Sequence, residues 1–238
     1  MRIIFLNSWF GKVGKPFFDF LKSESTETDI FCFMEVSPEL FAEISNRLKD
    51  YTGFIEKGAF LKEFGVIDCQ AIFVRKKLKI LSSGKINLYI NTPVTTGYAS
   101  YVTIGNSERV INLLNVHGKV LPGCKTDTPA RIKQSNTIIE FMKGKRGLKI
   151  IGGDFNLNPD TKSVGMFEEA GYRDLIKDFE IKNTRNEISW KQFQSKPGFV
   201  KQYFADYVFV SKDVKVTKFE VPYMEISDHL PQILEFEG

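Results

Sequence analysis

The sequence predicts a mixed α/β fold, in which a mixed sheet system is covered by helices. Two observations support this. Short apolar runs with strand character alternate with segments whose apolar residues have helical spacing. In the middle of the chain, three strand-like runs follow one another without a helix between them, as in an antiparallel meander. A purely parallel sheet is therefore not expected.

The strand predictions depend on short runs of apolar and β-branched residues that stop at polar residues. The runs outside the meander are residues 2–7, 29–35, 109–117, 148–153, 205–211, 214–221 and 231–236. The central meander is expected at residues 70–76, 78–90 and 95–104. The number and order of these strands allow both parallel and antiparallel pairing within one sheet.

Three helices have recognisable start signals. Ser37-Pro38 supplies an N-cap followed by proline at the first helical position, which predicts a helix over residues 39–50. Thr128-Pro129 repeats this arrangement before a helix expected over residues 130–143. Residues 15–24 have a proline near their start and apolar residues at helical spacing, so a third helix is expected there.

The 238 residues fit one large domain or two small ones, and 42% hydrophobic and 26% charged residues are ordinary for a globular protein. Because no composition shift marks a second domain, a single domain over residues 1–238 is expected. The net charge of +4, from 33 basic and 29 acidic residues, is compatible with a polyanionic substrate but does not require one. No apolar stretch is long enough for a membrane span or a secretory leader. No separate nucleic-acid-binding module and no protein partner are predicted.

The cysteine content argues against a disulfide framework or a structural zinc site. Cys32, Cys69 and Cys124 are odd in number, and no two of them have the spacing of a zinc-binding pair. Cys32 lies within an apolar run and is expected to pack in the core. A reducing, cytoplasmic location is therefore expected.

The segment Ile150–Pro159, IIGGDFNLNP, is the most informative part of the chain. If it stays extended, Asp154 and Asn156 point to one side of the strand and Phe155 points to the other. The two preceding glycines are expected to let a ligand approach the backbone. A carboxylate and an amide at the end of a buried strand can handle a phosphate and a metal-bound water.

Other apolar runs also end in side chains that bind ligands in many proteins. The runs end at Asn7, at Glu35 and at His117, and the only other histidine, His229, follows Asp228. Ligand sites in layered α/β proteins form where strands end and loops begin. Several such ends in one chain predict a common site at one rim of the fold.

Taken together, these motifs resemble the endonuclease/exonuclease/phosphatase superfamily of metal-dependent phosphoesterases, which includes pancreatic deoxyribonuclease. The resemblance covers residues 3–236. The matching motifs, in chain order, are FLNSW with Asn7, FMEV with Glu35, NVHG with His117, GGDFN with Asp154 and Asn156, ADYVFVS with Asp206, and SDHLP with Asp228 and His229. The fold it implies is a four-layer α/β sandwich of two packed mixed sheets flanked by helices.

The resemblance implies a metal site built from oxygen ligands. Glu35 is expected to be the main ligand of Mg²⁺, with Mn²⁺ as the alternative, and Asn7 and Asp228 are expected to complete or flank the site. Lys119 and Lys125, which flank the loop after His117, are expected to contact the phosphate of the substrate.

The resemblance also implies roles in proton transfer and phosphate binding. His229 is expected to act as the base or to hold a phosphate oxygen, with its imidazole oriented by Asp206. Asp154 competes with it for the base role, because it can align or deprotonate the attacking water. Asn156 and His117 are expected to donate hydrogen bonds to the phosphoryl oxygens.

Arg131, near a helix start, is expected to form a structural ion pair.

Departures from the superfamily's abasic-site endonucleases guide the choice of activity. The chain has Ser8-Trp9-Phe10 after Asn7, Met34 before Glu35, and His117 in place of a Tyr-x-Pro-Asn segment. The leading interpretation is a divalent-metal-dependent phosphodiesterase that acts on a nucleic acid or nucleotide. The alternatives are a phosphomonoesterase or lipid-headgroup phosphodiesterase using the same site, and a binding protein that has lost turnover.

Overall fold

Two six-stranded mixed sheets pack face to face, with helices on their outer surfaces, in the computed structural model of the protein. The structure describes residues 1–62, 65–88, 97–106, 109–195 and 198–237. This arrangement is the expected four-layer sandwich, so the predicted fold class is confirmed. None of the helices in these described ranges has the length and apolar character needed to cross a membrane.

The first sheet has the strand order β11-β12-β1-β2-β4-β3. Its strands are β1 (Arg2–Asn7), β2 (Ile30–Val36), β3 (Tyr51–Leu61), β4 (Val66–Arg75), β11 (Val216–Glu220) and β12 (Gln232–Phe236). The second sheet has the order β5-β6-β7-β8-β10-β9. Its strands are β5 (Ile80–Asn87), β6 (Tyr98–Gly105), β7 (Val110–His117), β8 (Leu148–Asp154), β9 (Tyr172–Asp174) and β10 (Asp206–Ser211).

Each sheet contains one parallel pair near its centre, and the remaining pairings are antiparallel. The parallel pairs are β1 with β2 and β7 with β8. Helix α1 (Lys15–Glu24) connects the first pair, and helix α3 (Pro129–Lys143) connects the second. Because parallel strands end at the same edge, the polar ends of these four strands gather at one rim of the sandwich.

The predicted caps are present at both proline-led helices. Ser37 Oγ accepts a hydrogen bond from the Leu40 N–H at the start of α2 (Pro38–Arg47). Thr128 Oγ1 does the same with the Arg131 N–H at the start of α3. Helix α2 ends at Arg47 and not at residue 50, because the chain turns there into β3.

Some elements were not predicted from the sequence. Strand β3 lies at a sheet edge and is mostly half-exposed, so its sequence lacks an apolar run. Three short helices were also missed: α4 (Lys162–Glu169), α5 (Leu175–Asp178) and α6 (Glu187–Lys191). The predicted strands 78–90 and 95–104 both extend into residues 89–96, which lie outside the described residues.

Two buried amides connect the sheets beneath the rim. Asn115 on β7 donates a hydrogen bond to the Phe33 carbonyl oxygen on β2, at 3.0 Å. Gln70 on β4 donates to the Tyr98 carbonyl oxygen and accepts from the Ser100 N–H on β6. Since buried amides are costly unless they are paired, these bonds favour one alignment of the two sheets.

The glycines before Asp154 serve packing between strands and not access for a ligand. A Cβ at Gly152 would lie 2.5 Å from the ring of Phe5, which projects from the opposite sheet. A Cβ at Gly153 would lie 2.2 Å from the Val116 carbonyl oxygen on the neighbouring strand. Gly153 also has a φ of 129°, which L side chains rarely adopt. The expectation that these glycines open the backbone to a ligand is therefore wrong.

We expect Gly153→Ala to lower the free energy of unfolding by about 2 kcal/mol or more, because it combines a backbone clash with a strained φ. Gly165→Ala is the matched control, because a Cβ there has no neighbour within 4 Å in helix α4. It should leave stability unchanged or raise it slightly. Urea unfolding of both variants measures the difference, and equal stabilities would contradict the packing argument.

Candidate active site

The amide of Asn7 connects the two sheets at the rim. Its nitrogen donates to Glu35 Oε1 at 3.1 Å and to Asp154 Oδ2 at 3.2 Å. Glu35 belongs to the first sheet and Asp154 ends β8 of the second. The amide oxygen of Asn7 accepts from the Trp9 N–H at 3.1 Å. Asn7 thus presents its nitrogen, and not its oxygen, to the two carboxylates.

A distorted backbone turns Glu35 into the site. Its φ is 52°, in the left-handed region, and the pairing of β2 with β4 shifts register between Phe33 and Val36. Ser8 Oγ donates to the Glu35 carbonyl oxygen at 2.8 Å and so supports this conformation. Without this distortion, the Glu35 side chain would follow the alternation of the strand, and the distortion instead directs it at Asn7. Non-glycine residues with positive φ are concentrated at functional sites.

His229 and Asp206 form a buried pair. The Nδ1 of His229 lies 2.9 Å from Asp206 Oδ2, and its Nε2 lies 3.6 Å from Asp154 Oδ2. Asp206 begins β10 opposite Asp154, which explains why the two carboxylates lie close together. Ligand atoms of these three residues all lie within 4.8 Å of one another, so the group is itself able to hold a metal ion.

His117 occupies the other side of Asp154 and has a carboxylate partner that sequence reasoning missed. Its Nδ1 lies 3.7 Å from Asp68 Oδ2, and its Nε2 lies 3.7 Å from Glu35 Oε1. Both ring nitrogens are buried without a hydrogen bond among the described residues. Asp68 was missed because the predicted strand began at residue 70. A carboxylate alternating with apolar residues in β4 was the available signal.

The turn after Asp154 holds Asn156 against Lys125. Strand β8 ends at Asp154, and Asn156 has a φ of 54°, so the segment is not extended through Asn156 as expected. The Asn156 N–H donates to Asp154 Oδ1 at 2.9 Å, and Lys125 Nζ donates to Asn156 Oδ1 at 2.6 Å. Phe155 points away from these polar groups and is fully buried in an aromatic cluster with Phe167 and Phe209.

Arg131 shapes the loop that carries Lys125. It is fully buried, and its guanidinium donates to the carbonyl oxygens of Lys119, Val120, Pro122 and Thr126. It has no carboxylate partner within ion-pair distance in the described part of the chain, so the expected structural ion pair is wrong. Its positive charge is instead stabilised by hydrogen bonds to backbone carbonyl oxygens. Lys119 lies on the same loop, is partly exposed, and donates its N–H to Gln134.

Asp228 faces two donors that sequence reasoning did not single out. Its Oδ2 lies 3.6 Å from Arg185 Nη2 and 3.3 Å from Gln192 Nε2. The preceding Ser227 donates its hydroxyl to the Asn7 carbonyl oxygen at 2.6 Å, which holds this segment against the end of β1. Arg185 and Gln192 were missed because they lie in an irregular region without a strong pattern.

The pKa values reflect the crowding of charges at this rim. Removal from water raises the pKa of Glu35, and His117 only partly opposes the effect. Burial would also raise the pKa of Asp154, but His229 and Lys125 outweigh it and lower the value to about 2. Burial raises the pKa of Asp68 to about 7. Burial and the charge of Arg185 lower the pKa of Lys125 to about 8.

Comparison with known families agrees with this geometry. The model of the Endonuclease/Exonuclease/phosphatase family matches residues 6–229. The chain belongs to this family. Its members are hydrolases that act on phosphoester bonds, and the resemblance inferred from the motifs is thereby confirmed. No curated protein sequence matches the chain significantly.

Solved structures share the fold of this family member at low sequence identity. A family protein from Leptotrichia buccalis has a TM-score of 0.76 and 18% identity, covering 100% of both chains. A mannosyl-6-phosphatase from Bacteroides thetaiotaomicron has a TM-score of 0.68 and 18% identity, also covering 100% of both chains. A humanized TDP2 from D. rerio has a TM-score of 0.73 and 19% identity, covering 100% of this chain and 99% of that one.

We expect Asp206→Asn to lower the pKa of His229. Burial by itself would lower this pKa, but Asp206 and Asp228 outweigh it and raise it to about 9. The raised pKa contributes stability that is fully present below the ordinary value of about 6.5 and is lost as the pH rises through about 9. In Asp206→Asn this loss of stability between pH 6.5 and 9 should shrink.

Histidine NMR titration measures the pKa directly, and urea unfolding at several pH values measures the stability. Because the chain has two histidines, His117→Gln assigns the signals. Asp178→Asn is the control, since Asp178 pairs with Arg173 at the surface. A His229 pKa that stays near 9 in Asp206→Asn would disprove the role of this carboxylate.

Proposed function

We propose that the protein is a divalent-metal-dependent phosphodiester hydrolase that acts on a nucleic acid or nucleotide. The observation that carries this proposal is the Asn7 amide bridge between Glu35 and Asp154, with the His229–Asp206 pair directly behind Asp154. The bridge places Glu35, a carboxylate suited to a metal ion, next to Asp154 and His229, which are suited to binding water and phosphate. Residues 1–238 would form one catalytic domain.

The residues present fit a hard divalent cation. Glu35 is partly exposed at the rim, and both its removal from water and the charge of Asp228 raise its pKa, which marks a site short of positive charge. Carboxylate oxygens are the ligands that Mg²⁺ and Mn²⁺ prefer. Glu35 and Asp228 would hold the ion, preferably Mg²⁺, and Asn7 would flank it by orienting Glu35. When bound, the ion would polarise a phosphoryl oxygen.

Proton handling would be divided between Asp154 and His229. With its pKa near 2, Asp154 is ionised at neutral pH and suits the orientation and deprotonation of the attacking water. With its pKa near 9, His229 is protonated and suits a hydrogen bond to a phosphoryl oxygen. Asp206 would keep the imidazole in place through Nδ1.

Three further side chains would bind the phosphoryl oxygens. Asn156 and Lys125 are held together by the hydrogen bond from Nζ to Oδ1, and His117, at the end of β7, has its Nε2 3.9 Å from Asp154 Oδ2. Asp68, whose Oδ2 lies 3.7 Å from His117 Nδ1, would orient His117 by its charge, without a hydrogen bond like the one between Asp206 and His229. Lys119, on the loop that carries Lys125, would contact the phosphate at the edge of the site. Donors of this kind stabilise the charge that builds up in the transition state.

Exposed aromatic surface beside the site supports a nucleic acid or nucleotide substrate. Tyr203 is 48% exposed, and its carbonyl oxygen accepts the Thr184 N–H, one residue before Arg185. Gln202 donates its side-chain amide to the Gly123 carbonyl oxygen on the Lys125 loop. The backbone at residues 202 and 203 therefore connects the two segments that supply cations. The ring of Tyr203 packs edge-on against Trp190, and a base could stack on its exposed part.

The second candidate is a phosphomonoesterase or a lipid-headgroup phosphodiesterase. The observation that favours it is the buried cation Lys125, only 3% exposed, which suits a phosphate with two negative charges. A mannosyl-6-phosphatase also shares the fold. A binding protein without turnover is disfavoured because all of the expected side chains are present.

We further propose a cytoplasmic location, supported by three free cysteines.

We expect hydrolysis of a phosphodiester to require Mg²⁺ or Mn²⁺ and to be lost in EDTA. Glu35→Ala and His229→Ala should each lower kcat by about a hundredfold or more, because each removes a group that stabilises the transition state. Both variants should remain folded by circular dichroism. The matched control is Glu43→Ala, which removes an exposed carboxylate of helix α2. Wild-type turnover in either site variant would refute the assignment.

We expect Tyr203→Ala to raise KM for single-stranded DNA by about tenfold, the effect of losing one stacked base. An abasic oligonucleotide of equal length should be cleaved equally by the wild type and the variant, because it has phosphates but no bases. Phe60→Ala, which removes an exposed ring from strand β3, is the control. Cleavage of a phosphomonoester or sphingomyelin but not of DNA or RNA would favour the second candidate.

A further inference from the structure

Arg185 is held at the rim by a rigid segment. The preceding Thr184 is fully buried, and its Oγ1 accepts hydrogen bonds from the backbone N–H groups of Ala205 and Asp206. The Thr184 carbonyl oxygen accepts the Leu230 N–H at 2.9 Å. These bonds tie the segment to the start of β10 and to the residue after His229. The backbone of Arg185 therefore has a defined position beside the His229–Asp206 pair.

The following residue, Asn186, fixes the segment from the other side. It is fully buried, and its amide nitrogen donates to the carbonyl oxygens of Met224 and Ser227. Its amide oxygen accepts from the Ile188 and Ser189 N–H groups and so caps helix α6. Arg185 itself forms an isolated antiparallel bridge with His229. The side chains of Thr184 and Asn186, on either side of Arg185, are thus both hydrogen-bonded, whereas the hydrogen bonding of the Arg185 side chain is incomplete.

The guanidinium of Arg185 lacks the partners that its burial calls for. Its side chain is 11% exposed, and its Nε is buried without a hydrogen bond among the described residues. Its ion pair with Asp228, 3.6 Å from Nη2 to Oδ2, is longer than a hydrogen bond. A guanidinium has five N–H donors, and a buried donor without an acceptor costs free energy.

The positive charge of Arg185 reaches other groups of the candidate site. After burial, it is the next cause that lowers the pKa of Lys125, and it opposes the rise in the pKa of His229. The Arg185 backbone bridges to His229, and Lys125 reaches Asp154 through Asn156, so the site contains two cations near Asp154 and His229. The carboxylate partner of Arg185 lies at 3.6 Å, and Lys125 Nζ donates to an amide oxygen, so neither cation has a carboxylate at hydrogen-bond distance among the described residues.

We infer that Arg185, together with Lys125, forms an anion-binding subsite for the non-bridging oxygens of the phosphoryl group that is hydrolysed. This inference rests on the proposed function and deepens it. A guanidinium presents parallel N–H groups that match two oxygens of a phosphate, which a single ammonium group cannot do. Arg185 would bind the phosphoryl group beside His229, and Lys125 would bind it beside Asn156.

The competing explanation is that Arg185 only positions Asp228. Gln192 also contacts Asp228 Oδ2, so the carboxylate has a second donor that would orient it. The two explanations predict different behaviour of the Arg185 variants. If Arg185 serves Asp228 alone, Arg185→Gln and Arg185→Lys should bind phosphate as the wild type does. If Arg185 binds phosphate, both should bind it more weakly, and Asp228→Asn, which removes the competing carboxylate, should preserve or strengthen binding.

The experiment is titration of the purified full chain with inorganic phosphate in EDTA, by calorimetry and by the shift in Tm, against chloride at matched ionic strength. We expect phosphate to bind the wild type, and Arg185→Gln to raise Kd by about tenfold or more. Arg185→Lys should give an intermediate Kd, and it keeps the experiment decisive if the glutamine variant does not fold. Asp228→Asn should bind phosphate at least as tightly as the wild type.

Arg173→Gln is the matched control, because Arg173 pairs with Asp178 at the surface, and it should bind phosphate as the wild type does. Unchanged Kd in both Arg185 variants, or equal losses in Arg185→Gln and Asp228→Asn, would overturn the inference. Binding is measured without turnover, so the two proposals fail separately. Arg185-dependent phosphate binding without hydrolysis of any phosphoester would overturn the proposed function alone.

Discussion

The site depends on a single amide that hydrogen-bonds across the sandwich. Asn7 Nδ2 contacts Glu35 in its own sheet and Asp154 in the other, so one side chain sets the distance between two carboxylates on separate sheets. An amide is suited to this because it donates two hydrogen bonds and carries no charge that would neutralise either carboxylate. The alignment of the sheets by Asn115 and Gln70 below the rim makes this contact possible.

Around this amide, the structure arranges buried charges in opposed pairs. His229 lies between Asp206 and Asp154, and His117 lies between Asp68 and Glu35. Buried charges persist only when they are paired or bind an ion, so the incomplete partners are the informative ones. Glu35, with its raised pKa, points to a cation, and the unpaired Nε of Arg185 points to an anion. The proposed phosphoester substrate and the proposed divalent ion would supply both.

Much of the site was predictable because its residues end apolar runs. Asn7, His117 and Asp154 each close a strand of a central parallel pair, and this topology brings strand ends to one edge. Asp68 was missed because it lies within a strand, and Arg185 because it lies in an irregular segment. Arg131 was misjudged as half of an ion pair, since nothing local indicates that its partners are four carbonyl oxygens.

The sequence by itself determined the mixed α/β class, the helix starts at Ser37 and Thr128, and the chemical identity of the side chains that end each strand. These features depend on periodicity, capping and composition, which act within a few residues. Only the tertiary structure decided which atom of Asn7 faces the carboxylates and which cations lie beside Asp154. It also showed that positions 152 and 153 have no space for a Cβ. Those outcomes depend on contacts between residues far apart in the chain, and a linear pattern contains no record of such distances.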